Sequence, residues 1–560
     1  MKSLLRQISV ILLCFGTSIG AQITGNDWPS YGGGYSAWRY SGLNQINRNN
    51  VRRLTPVWSF QTGVTDGGFQ ATPIVVNGVM YVSTSWNHIY AIDAETGREL
   101  WHYVYKNPRE IGITYSPWNR GVGVGGGRVF MGTLDNHVVA LDQKTGRELW
   151  NVAVEDLRQC GCNITGAPLV VADKVIVGVT GGDSAHRGYL TAFNITTGHL
   201  IWRFWTIPGP GEPGHETWKG DSWKLGGGAT WMTGSYDPQL NLVYWGVGNA
   251  AADFYGADRS GDNLYTDSIV ALDAETGKLK WYYQEIPHDV WDFDAAYECV
   301  LFDLPMQGRT RKLLLNVNKG GYAFVLDRIT GEFVSAWPIV QNLTWIQGVD
   351  QYGHLLGRNE PEVGRPKLLC PSVGGGRSWN QGAFSPRTNW FYTTGIEWCQ
   401  MVTAQKEQVT EGGEFFGGVF QLRPPPNGKA GGHLDAYEPV SGKKVWSYES
   451  KYPLLASVLA TAGDIVFTGD PTGEFFALDA RTGRKLWRFQ TGSGHRGSSI
   501  TYSVHGRQFV ATPSGWGSAV AGVMAQVWPE AESFRGGCTL FVFALPPKSD
   551  TAFPPESKAR

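Results

Sequence analysis

Charged residues are scarce in this sequence, and no long run of basic residues occurs in it. Asp, Glu, Lys and Arg make up 17% of the 560 residues, and the formal net charge is −1. An average soluble domain contains about 25% charged residues. Because proteins that bind nucleic acid concentrate positive charge on one face, we do not expect a nucleic-acid partner.

The signatures of several other protein classes are missing as well. The sequence has no Cys-x-x-Cys-His motif, so a covalently attached c-type haem is not expected. It has no Gly-x-Ser-x-Gly motif, which argues against a hydrolase with a nucleophile elbow. Long helical periodicity is absent, so a mainly helical fold is not indicated. A glycosidase would need paired carboxylates, and these occur only in the Asp-rich segment described below.

The apolar run at the N-terminus is shorter than the roughly 20 residues that a membrane-spanning helix needs. Residues 1–21 contain two basic residues, a central apolar stretch and small residues before Ala21. This pattern predicts a secretory signal peptide that is cut after Ala21. We therefore expect an exported protein, periplasmic or secreted, with a single domain at 22–548 and a polar tail at 549–560.

Gly and Trp are abundant, with 74 and 24 copies, and they recur in one repeated pattern. Each copy reads as a strand, a tight turn at a Thr-Gly or Ser-Gly pair, and a second strand. We expect the Gly to take a positive-φ position and the Trp to pack against the next unit. The copies are AIDAETGRELW (91–101), ALDQKTGRELW (140–150), AFNITTGHLIW (192–202), ALDAETGKLKW (271–281), AYEPVSGKKVW (436–446) and ALDARTGRKLW (477–487), with a looser copy, VLDRITGEFVSAW, at 325–337.

The spacing of this repeat predicts an all-β propeller of about eight blades. Most steps between the repeated Trp residues are 41–56 residues long, which suits four strands per unit. The step from 337 to 446 is longer and leaves room for one unit without the motif. VWSFQTG (57–63) adds a unit, and LFVFALP (540–546) should pair with N-terminal strands to close the ring.

The segment HDVWDFD (288–294) contains three acidic residues within six positions. In an extended conformation, Asp292 and Asp294 point to one side and Phe293 points to the other. Two carboxylates directed at one place repel each other unless a cation or a shared proton lies between them. We therefore predict a cation between Asp292 and Asp294.

The repeat and several further segments resemble the quinoprotein alcohol dehydrogenases. Members of this family are eight-bladed propellers that carry pyrroloquinoline quinone (PQQ). The resemblance extends over nearly the whole chain after the signal peptide. The segments that carry it are NRGVGV (119–124), ITGAP (164–168), GGGATW (226–231), YWGVGNA (244–250), WDFD (291–294) and NKGGYAFVLDR (318–328).

The resemblance implies an enzyme that oxidises alcohols to aldehydes through PQQ and a bound Ca²⁺ or lanthanide ion. Since the sequence has no haem motif, the resemblance also implies a separate electron acceptor, a soluble cytochrome c. A PQQ enzyme that acts on sugars or polyols would differ only in the residues of the pocket wall. A cofactor-free propeller that serves as a binding or scaffold module is the alternative from another functional class.

The resemblance assigns Asn249 and Asp292 to the metal site and makes Asp292 the catalytic base. Asp183 stands where the family has Glu, whose side chain is one methylene longer. Asp294 matches an extra Asp that lanthanide-using members carry two residues after the catalytic one. Oxygen ligands suit a hard cation, and three carboxylates favour a trivalent ion. The other interpretation of Asp294 is a turn residue that accepts hydrogen bonds from backbone amides.

PQQ is a flat quinone with three carboxylates, so a site for it needs aromatic faces and cations. The resemblance places Trp231 beneath the ring and Arg120 and Lys319 near the charged groups. The other positions that match the edge of the cofactor are Thr165, Gly181, Gly182 and Gln70, the last of which stands where some members have Glu.

The sequence departs from the family where a cofactor lid is expected. The family places two adjacent cysteines over PQQ as a disulfide, but the matching stretch ITYSPWN (113–119) contains no cysteine. Tyr115 or Trp118 could stack there instead. A disulfide between Cys160 and Cys162 is our hypothesis for a substitute lid, and the alternative is that these cysteines pair elsewhere or are structural.

Two further features depend on the same resemblance. Cys370 and Cys399 match a pair that the family joins by a structural disulfide. The Gly/Pro-rich loop at 207–224 could overhang the entrance of the site or form a surface turn.

Overall fold

The computed structural model describes residues 25–108, 117–306, 308–426 and 429–547. The predicted signal peptide (1–21), Tyr115 and the predicted tail (549–560) lie outside the described residues. Within these ranges, the strands form eight antiparallel sheets of four strands, and a short fifth strand joins one of them. The first strands of several neighbouring sheets contact each other, which places them at the inner wall of a ring. The predicted all-β, eight-bladed propeller is confirmed.

The eight blades are described from the inner strand outwards. Blade 1 consists of β3 (Ile74–Val76), β4 (Val79–Thr84), β5 (His88–Asp93) and β6 (Glu99–Val104); blade 2 of β7 (Gly123–Gly125), β8 (Arg128–Gly132), β9 (His137–Asp142) and β10 (Glu148–Ala153); blade 3 of β11 (Leu169–Val171), β12 (Lys174–Gly178), β13 (Tyr189–Asn194) and β14 (Leu200–Trp205); blade 4 of β15 (Ser235–Asp237), β16 (Leu242–Gly246), β17 (Ser268–Asp273) and β18 (Leu279–Gln284).

The second half of the ring includes the strand from the N-terminal region. Blade 5 consists of β19 (Val300–Met306), β20 (Arg309–Val317), β21 (Tyr322–Asp327) and β22 (Phe333–Pro338); blade 6 of β26 (Ala383–Ser385), β27 (Trp390–Glu397), β30 (Gly431–Tyr437) and β31 (Lys444–Ser450); blade 7 of β32 (Leu459–Thr461), β33 (Ile465–Gly469), β34 (Glu474–Asp479) and β35 (Lys485–Gln490), with β1 (Tyr40–Ser41) parallel to β32; blade 8 of β36 (Ile500–Val504), β37 (Arg507–Ser514), β38 (Thr539–Ala544) and β2 (Thr55–Gln61).

The remaining elements are short and lie outside the eight blades. Along the described ranges, no helix is long and apolar enough to cross a membrane. The elements are the hairpin β23 (Gly348–Val349) and β24 (Leu355–Leu356), the sheet of β25 (Lys367–Leu369), β28 (Cys399–Ala404) and β29 (Gly418–Arg423), helices α1 (Leu157–Cys160) and α2 (Ala519–Val523), and 3₁₀ turns at Val51–Arg53, Ser85–Asn87, His215–Thr217, Ser222–Leu225, Ala257–Arg259, Met524–Gln526 and Pro529–Ser533.

The repeated motif forms the turn between the third and fourth strands of seven blades. In blade 1, Asp93 Oδ1 accepts hydrogen bonds from the amide and the hydroxyl of Thr96, both at 2.9 Å. Gly97 has φ +79, and a Cβ there would lie 2.7 Å from the ring of Trp58 in the neighbouring blade. The expected Trp packing is therefore confirmed. The same contact joins Trp101 to Gly146, Trp150 to Gly198, Trp202 to Gly277, Trp281 to Gly331, Trp337 to Gly442 and Trp446 to Gly483.

The ring closes where the two ends of the chain meet in blade 8. Strand β2 pairs antiparallel with β38, from Thr55 opposite Ala544 to Gln61 opposite Thr539. The indole Nε1 of Trp487 donates to the carbonyl of Leu54 at 3.0 Å across the seam. The predicted closure by the C-terminal segment is confirmed.

The long interval between Trp337 and Trp446 holds no additional four-stranded blade in its described part. It contains blade 6 and, beside it, the hairpin β23–β24 and the sheet β25-β28-β29. The spacing left room for an additional blade here, but the interval contains insertions instead. The hairpin β23–β24 and strand β25 precede the first strand of blade 6, whereas β28 and β29 interrupt the blade between its second and third strands.

The order of strands determines which connecting segments lie at each end of the ring. Because neighbouring strands are antiparallel, the segment before the first strand and the connection between the second and third strands lie at one end. We call this the upper end. The turns between the third and fourth strands, which carry the repeated motif, lie at the opposite, lower end.

Candidate active site

A cavity of about 350 Å³ opens at the upper end of the ring. It brings together segments that are far apart in the sequence. The roles of the lining residues remain predictions, but their placement in one cavity agrees with the sequence analysis. All of the predicted site residues line it: Gln70, Arg120, Thr165, Gly181, Gly182, Asp183, Trp231, Asn249, Asp292, Asp294 and Lys319.

The strand order explains why these residues meet. Arg120 and Trp231 lie just before the inner strands of blades 2 and 4. Asp183, Asn249 and Lys319 lie in the connections between second and third strands of blades 3, 4 and 5. Both kinds of segment belong to the upper end, so neighbouring blades deliver their side chains to one place.

The Asp-rich segment forms a turn, since the next strand begins only at Val300. The carboxylate of Asp289 accepts hydrogen bonds from the amides of Trp291 at 2.9 Å and Phe293 at 2.8 Å. Asp292 has φ +62, a left-handed conformation that is unfavourable for a residue with a Cβ. Phe293 is buried, while Asp292 and Asp294 both contact Lys319. The expected directions of the side chains are therefore found in a turn instead of an extended segment.

Lys319 lies between the two carboxylates that raised the question of a cation. Its Nζ lies 2.6 Å from Asp292 Oδ1 and 3.4 Å from Asp294 Oδ2. Burial raises the pKa of Asp292 well above its usual range; Lys319 opposes this, and Asp183 and Asp294 add to it. Burial disfavours the Lys319 ammonium, but Asp292 and Asp294 outweigh burial and raise its pKa well above the usual value. A charged amine thus separates these two acids.

A second group of carboxylates lies beside this pair. Asp183, Asp253 and Asp292 each offer an oxygen within 4.8 Å of the others. The side-chain Nδ2 of Asn249 donates to Asp183 Oδ1 at 3.3 Å and to Asp253 Oδ1 at 2.9 Å. Burial raises the pKa of Asp183 to about 6. Asp294 is not in this group, and its Oδ1 accepts a hydrogen bond from Trp231 Nε1 at 3.1 Å.

The donors in this group fit a hard cation. Two buried oxygens, Asn249 Oδ1 and Asp253 Oδ2, have no hydrogen-bond partner among the described residues. Leaving a buried polar atom unpaired costs about 1–3 kcal/mol, and more for a charged group. A Cβ on Gly182 would overlap Asn249 Oδ1, so glycine at this position lets the amide come close. Carboxylate and amide oxygens are the ligands that Ca²⁺ and similar ions prefer.

The neighbouring wall of the cavity combines aromatic rings with buried guanidinium groups. Arg120 lies 4.8 Å from the ring centroids of both Trp231 and Trp379, and it donates to Thr165 Oγ1. Burial lowers the pKa of Arg120 to about 10 and that of Arg496 to about 9. Both groups therefore keep their charge at neutral pH.

Several polar atoms of this wall also lack partners within the described ranges. They are the Nε atoms of Arg120 and Arg496 and the Oε1 atom of Gln70, whose Nε2 donates to Gly517 O at 3.1 Å. The two guanidinium donors, beside a cavity lined by Trp rings, suit a flat quinone that carries carboxylates. The residues present therefore fit PQQ.

The disulfide between Cys160 and Cys162 forms, but it does not line the cavity. Both cysteines are buried in the hydrophobic core between blades 2 and 3, and Asn136 Nδ2 lies 3.3 Å from Cys162 Sγ. The substitute-lid hypothesis is therefore not supported. Trp118 does line the cavity. This agrees with the alternative in which Trp118 stacks where the family has its disulfide.

The predicted disulfide between Cys370 and Cys399 is confirmed. The loop at 207–224 contributes no residue to the cavity. A 2.8 Å ion pair between Glu212 and Arg187 ties the loop to blade 3, which favours the surface-turn alternative.

The entrance of the cavity is mainly apolar and comes from other segments. Phe416 and Phe420 belong to the insertion in blade 6, and Val520 and Val523 belong to α2. Two polar residues, Glu414 and Ser518, lie among them.

Four residues of the site are not among those predicted from the sequence: Tyr297, Trp379, Arg496 and Asp253. Trp379 and Arg496 precede the inner strands of blades 6 and 8, as Arg120 does in blade 2. This position just before an inner strand was the only sequence feature that could have predicted their place in the site. Asp253 follows Asn249 by four residues in a segment without a repeated pattern.

Comparisons with known proteins agree with this geometry. Residues 28–348 match the PQQ family described as glucose/ethanol/alcohol dehydrogenase, beta-propeller domain. Residues 430–523 match the model of the outer membrane protein assembly factor BamB, over a segment too short to assign a family.

Two curated relatives cover most of the chain. The quinoprotein alcohol dehydrogenase PedH of Pseudomonas putida is 38% identical over 92% of this chain and 90% of that protein. The quinohemoprotein alcohol dehydrogenase of Comamonas testosteroni is 37% identical over 93% of this chain and 77% of that protein.

A solved structure described as a europium-containing methanol dehydrogenase superimposes with a TM-score of 0.88. It is 34% identical, and the match covers 93% of this chain and 98% of that one. The chain therefore belongs to the family of PQQ-dependent alcohol dehydrogenases that are built on a β-propeller.

Proposed function

We propose that this enzyme oxidises alcohols to aldehydes at Asp292, with PQQ and a hard cation in the upper cavity. The observation that carries the proposal is the position of Asp292. Its buried carboxylate lies at the meeting point of Lys319 and the oxygen group of Asp183 and Asn249. The wall with Trp231 stands beside it.

The residues divide into two binding sets. PQQ would be held by Gln70, Arg120, Thr165, Gly181, Gly182, Trp231 and Lys319, and the cation by Asp183, Asn249, Asp292 and Asp294. When bound, PQQ supplies a quinone that accepts the two electrons released as the alcohol carbon is oxidised, while the cation acts as a Lewis acid.

Asp292 acts as the general base that accepts the proton of the alcohol hydroxyl. It can do so only as a carboxylate, and burial opposes that form. The contact with Lys319 Nζ at 2.6 Å favours the charged form and holds the side chain in one orientation. A bound cation would favour it further.

The apolar entrance favours alcohols with a hydrocarbon chain over sugars and polyols. Phe416, Phe420 and Val523 offer no hydrogen-bonding side chain to additional hydroxyl groups. A polyol would lose hydrogen bonds to water there without replacing them.

Electrons then pass to a separate acceptor, for which we propose a soluble cytochrome c. The sequence has no Cys-x-x-Cys-His motif, whereas the relative from Comamonas testosteroni is named a quinohemoprotein. We also propose that residues 1–21 direct export to the periplasm, where they are removed.

The test is dye-coupled alcohol oxidation by the purified protein after addition of PQQ with either Ca²⁺ or La³⁺. We expect turnover of ethanol and 1-butanol with a higher kcat/KM than of glycerol or glucose. Absence of PQQ binding with both ions would contradict the proposal and favour the cofactor-free scaffold. A higher kcat/KM for the polyols would contradict the role given to the entrance.

A further inference from the structure

We propose that Asp253 is an additional ligand of the cation and that it offsets the short side chain of Asp183. The inference rests on the proposed function, since it concerns the same cation. Asp253 has no counterpart in the ligand set predicted from the sequence, which consists of Asp183, Asn249, Asp292 and Asp294.

The distances between the oxygens support a shared ion. One oxygen from each of Asp183, Asp253 and Asp292 lies within 4.8 Å of the others. Ca²⁺ binds oxygen at about 2.3–2.6 Å, so two ligands of one such ion are at most roughly 5 Å apart. All three carboxylates therefore satisfy the spacing that one ion requires.

The surroundings of Asp253 leave its charge without a paired cation. The residue is 1% exposed, and its Oδ2 has no hydrogen-bond partner within the described ranges. Its Oδ1 accepts one hydrogen bond, from the neutral amide of Asn249. The ammonium of Lys319 bonds to Asp292 and Asp294 instead. The guanidinium of Arg259 donates to the carbonyls of Ala252 and Asp289 and to Asn263.

The position of Asp253 favours the ion over the substrate as its partner. Asp183, Asn249 and Asp292 line the cavity, whereas Asp253 does not, so an alcohol in the cavity meets the other side chains first. The neighbouring residue Phe254 is fixed by a 2.9 Å hydrogen bond from its amide to the carbonyl of Phe416. Asp253 thus lies on the side of Asp183, Asn249 and Asp292 that faces away from the cavity.

The additional carboxylate has a consequence for the choice of ion. With Asp253, the acids around the site are Asp183, Asp253, Asp292 and Asp294, and Lys319 supplies one positive charge. The attraction between an ion and its ligands grows with the charge of the ion. Asp253 therefore favours a trivalent lanthanide over Ca²⁺.

The test uses Eu³⁺ as the probe in the full chain, without and with PQQ. The decay of Eu³⁺ luminescence in H₂O and in D₂O reports how many water molecules are bound to the ion. In Asp253→Ala we expect about one additional water on Eu³⁺, because water replaces the lost oxygen ligand. In Asp253→Asn, which keeps an oxygen but removes the charge, we expect unchanged hydration and roughly tenfold weaker Eu³⁺ binding.

The control is Asp258→Asn, which removes the same charge from an exposed carboxylate that pairs with Lys406 at 3.0 Å. This variant should match the wild type in both measurements. In Asp253→Asn, the loss of affinity should be larger for Eu³⁺ than for Ca²⁺. Wild-type hydration in Asp253→Ala, or wild-type Eu³⁺ affinity in Asp253→Asn, would overturn the inference.

The outcomes separate this inference from the proposed function. If the wild type binds Eu³⁺ and oxidises alcohols while the Asp253 variants bind Eu³⁺ equally well, only the role of Asp253 fails. If the wild type binds neither Eu³⁺ nor Ca²⁺, the cation of the proposed function fails, and the role of Asp253 fails with it. If Asp253→Ala does not fold, the affinity of Asp253→Asn decides.

Discussion

The lower and upper ends of the ring use aspartate in opposite ways. At the lower end, Asp142 accepts hydrogen bonds from the hydroxyl and the amide of Thr145, at 2.8 and 2.9 Å, and these lower its pKa. At the upper end, burial raises the pKa of Asp292, and Asp253 Oδ2 has no described partner. The lower end pairs its polar groups within one turn, whereas the upper end leaves buried groups for something that binds. Strongly perturbed acids in a cavity are typical of functional sites.

The largest effect should come from removing the charge of Asp292. We expect Asp292→Asn to bind PQQ and to lose roughly 10²–10⁴-fold in kcat, because an amide cannot accept the hydroxyl proton. Dye-coupled rates and the PQQ content of the purified variant check this. Asp142→Asn makes the same chemical change at the lower end and should keep the wild-type kcat. Near-wild-type turnover in Asp292→Asn would refute the assigned base.

The next effect concerns a buried histidine at the upper end that lies between two carboxylates. His433 Nδ1 lies 2.9 Å from Asp435 Oδ2, and Nε2 lies 3.4 Å from Glu397 Oε1. Burial disfavours the imidazolium, but the two carboxylates outweigh burial and raise the pKa of His433 to about 9. Its unfolded value is about 6.5. The stabilisation is therefore complete below about pH 6.5 and is lost as pH rises through about 9.

We expect the free energy of unfolding to fall by on the order of 3 kcal/mol over this pH interval. His433→Gln should be less stable at pH 6 and should lack this pH dependence. His495, whose pKa burial lowers to about 4, stays neutral throughout, so His495→Gln should keep the wild-type slope. Denaturant unfolding at several pH values measures all three proteins. Equal slopes for the wild type and His433→Gln would exclude the assigned ion pair.

The smallest effect tests the lower end by itself. Gly277 has φ +67, and a Cβ there would lie 2.5 Å from the ring of Trp202. Gly78 has a similar φ of +76 but has no atom within 4 Å of its Cβ position. We expect Gly78→Ala to cost about 1 kcal/mol from backbone strain. Gly277→Ala should cost about 1 kcal/mol more, because the Trp must move.

Thermal unfolding of the two Gly variants gives this difference, and the KM for alcohol should be unchanged in both. Equal melting temperatures for Gly277→Ala and Gly78→Ala would show that the Trp contact does not stabilise the ring. A raised KM would show that the two ends are coupled.

The lower end was largely predictable because its structure depends on local chemistry. Asp, Thr and Gly at fixed spacing define a turn, and a Trp at fixed spacing defines the contact with the next blade. The repeat therefore gave the fold and the closure by residues 540–546. It did not reveal that the interval from 337 to 446 holds insertions, because spacing alone cannot distinguish an insertion from a blade without the motif.

The upper end was predictable only where its segments resemble a known family. That resemblance led to Asp292, Lys319 and Trp231, which do line one cavity. It did not lead to Asp253, whose position depends on how blade 4 packs against the insertion of blade 6. The hypothesis of a substitute lid at Cys160 and Cys162 came from their nearness to Thr165 in the sequence, but both cysteines are buried in the core.

The seam in blade 8 has a consequence for the order of events during synthesis. Strand β2 precedes the antiparallel strands of blades 1 to 7 in the chain, but its partner β38 follows all of them. The cavity draws residues from both sides of this seam, including Gln70 and Arg496. The chamber therefore cannot be completed before β38 has been synthesised and has paired with β2.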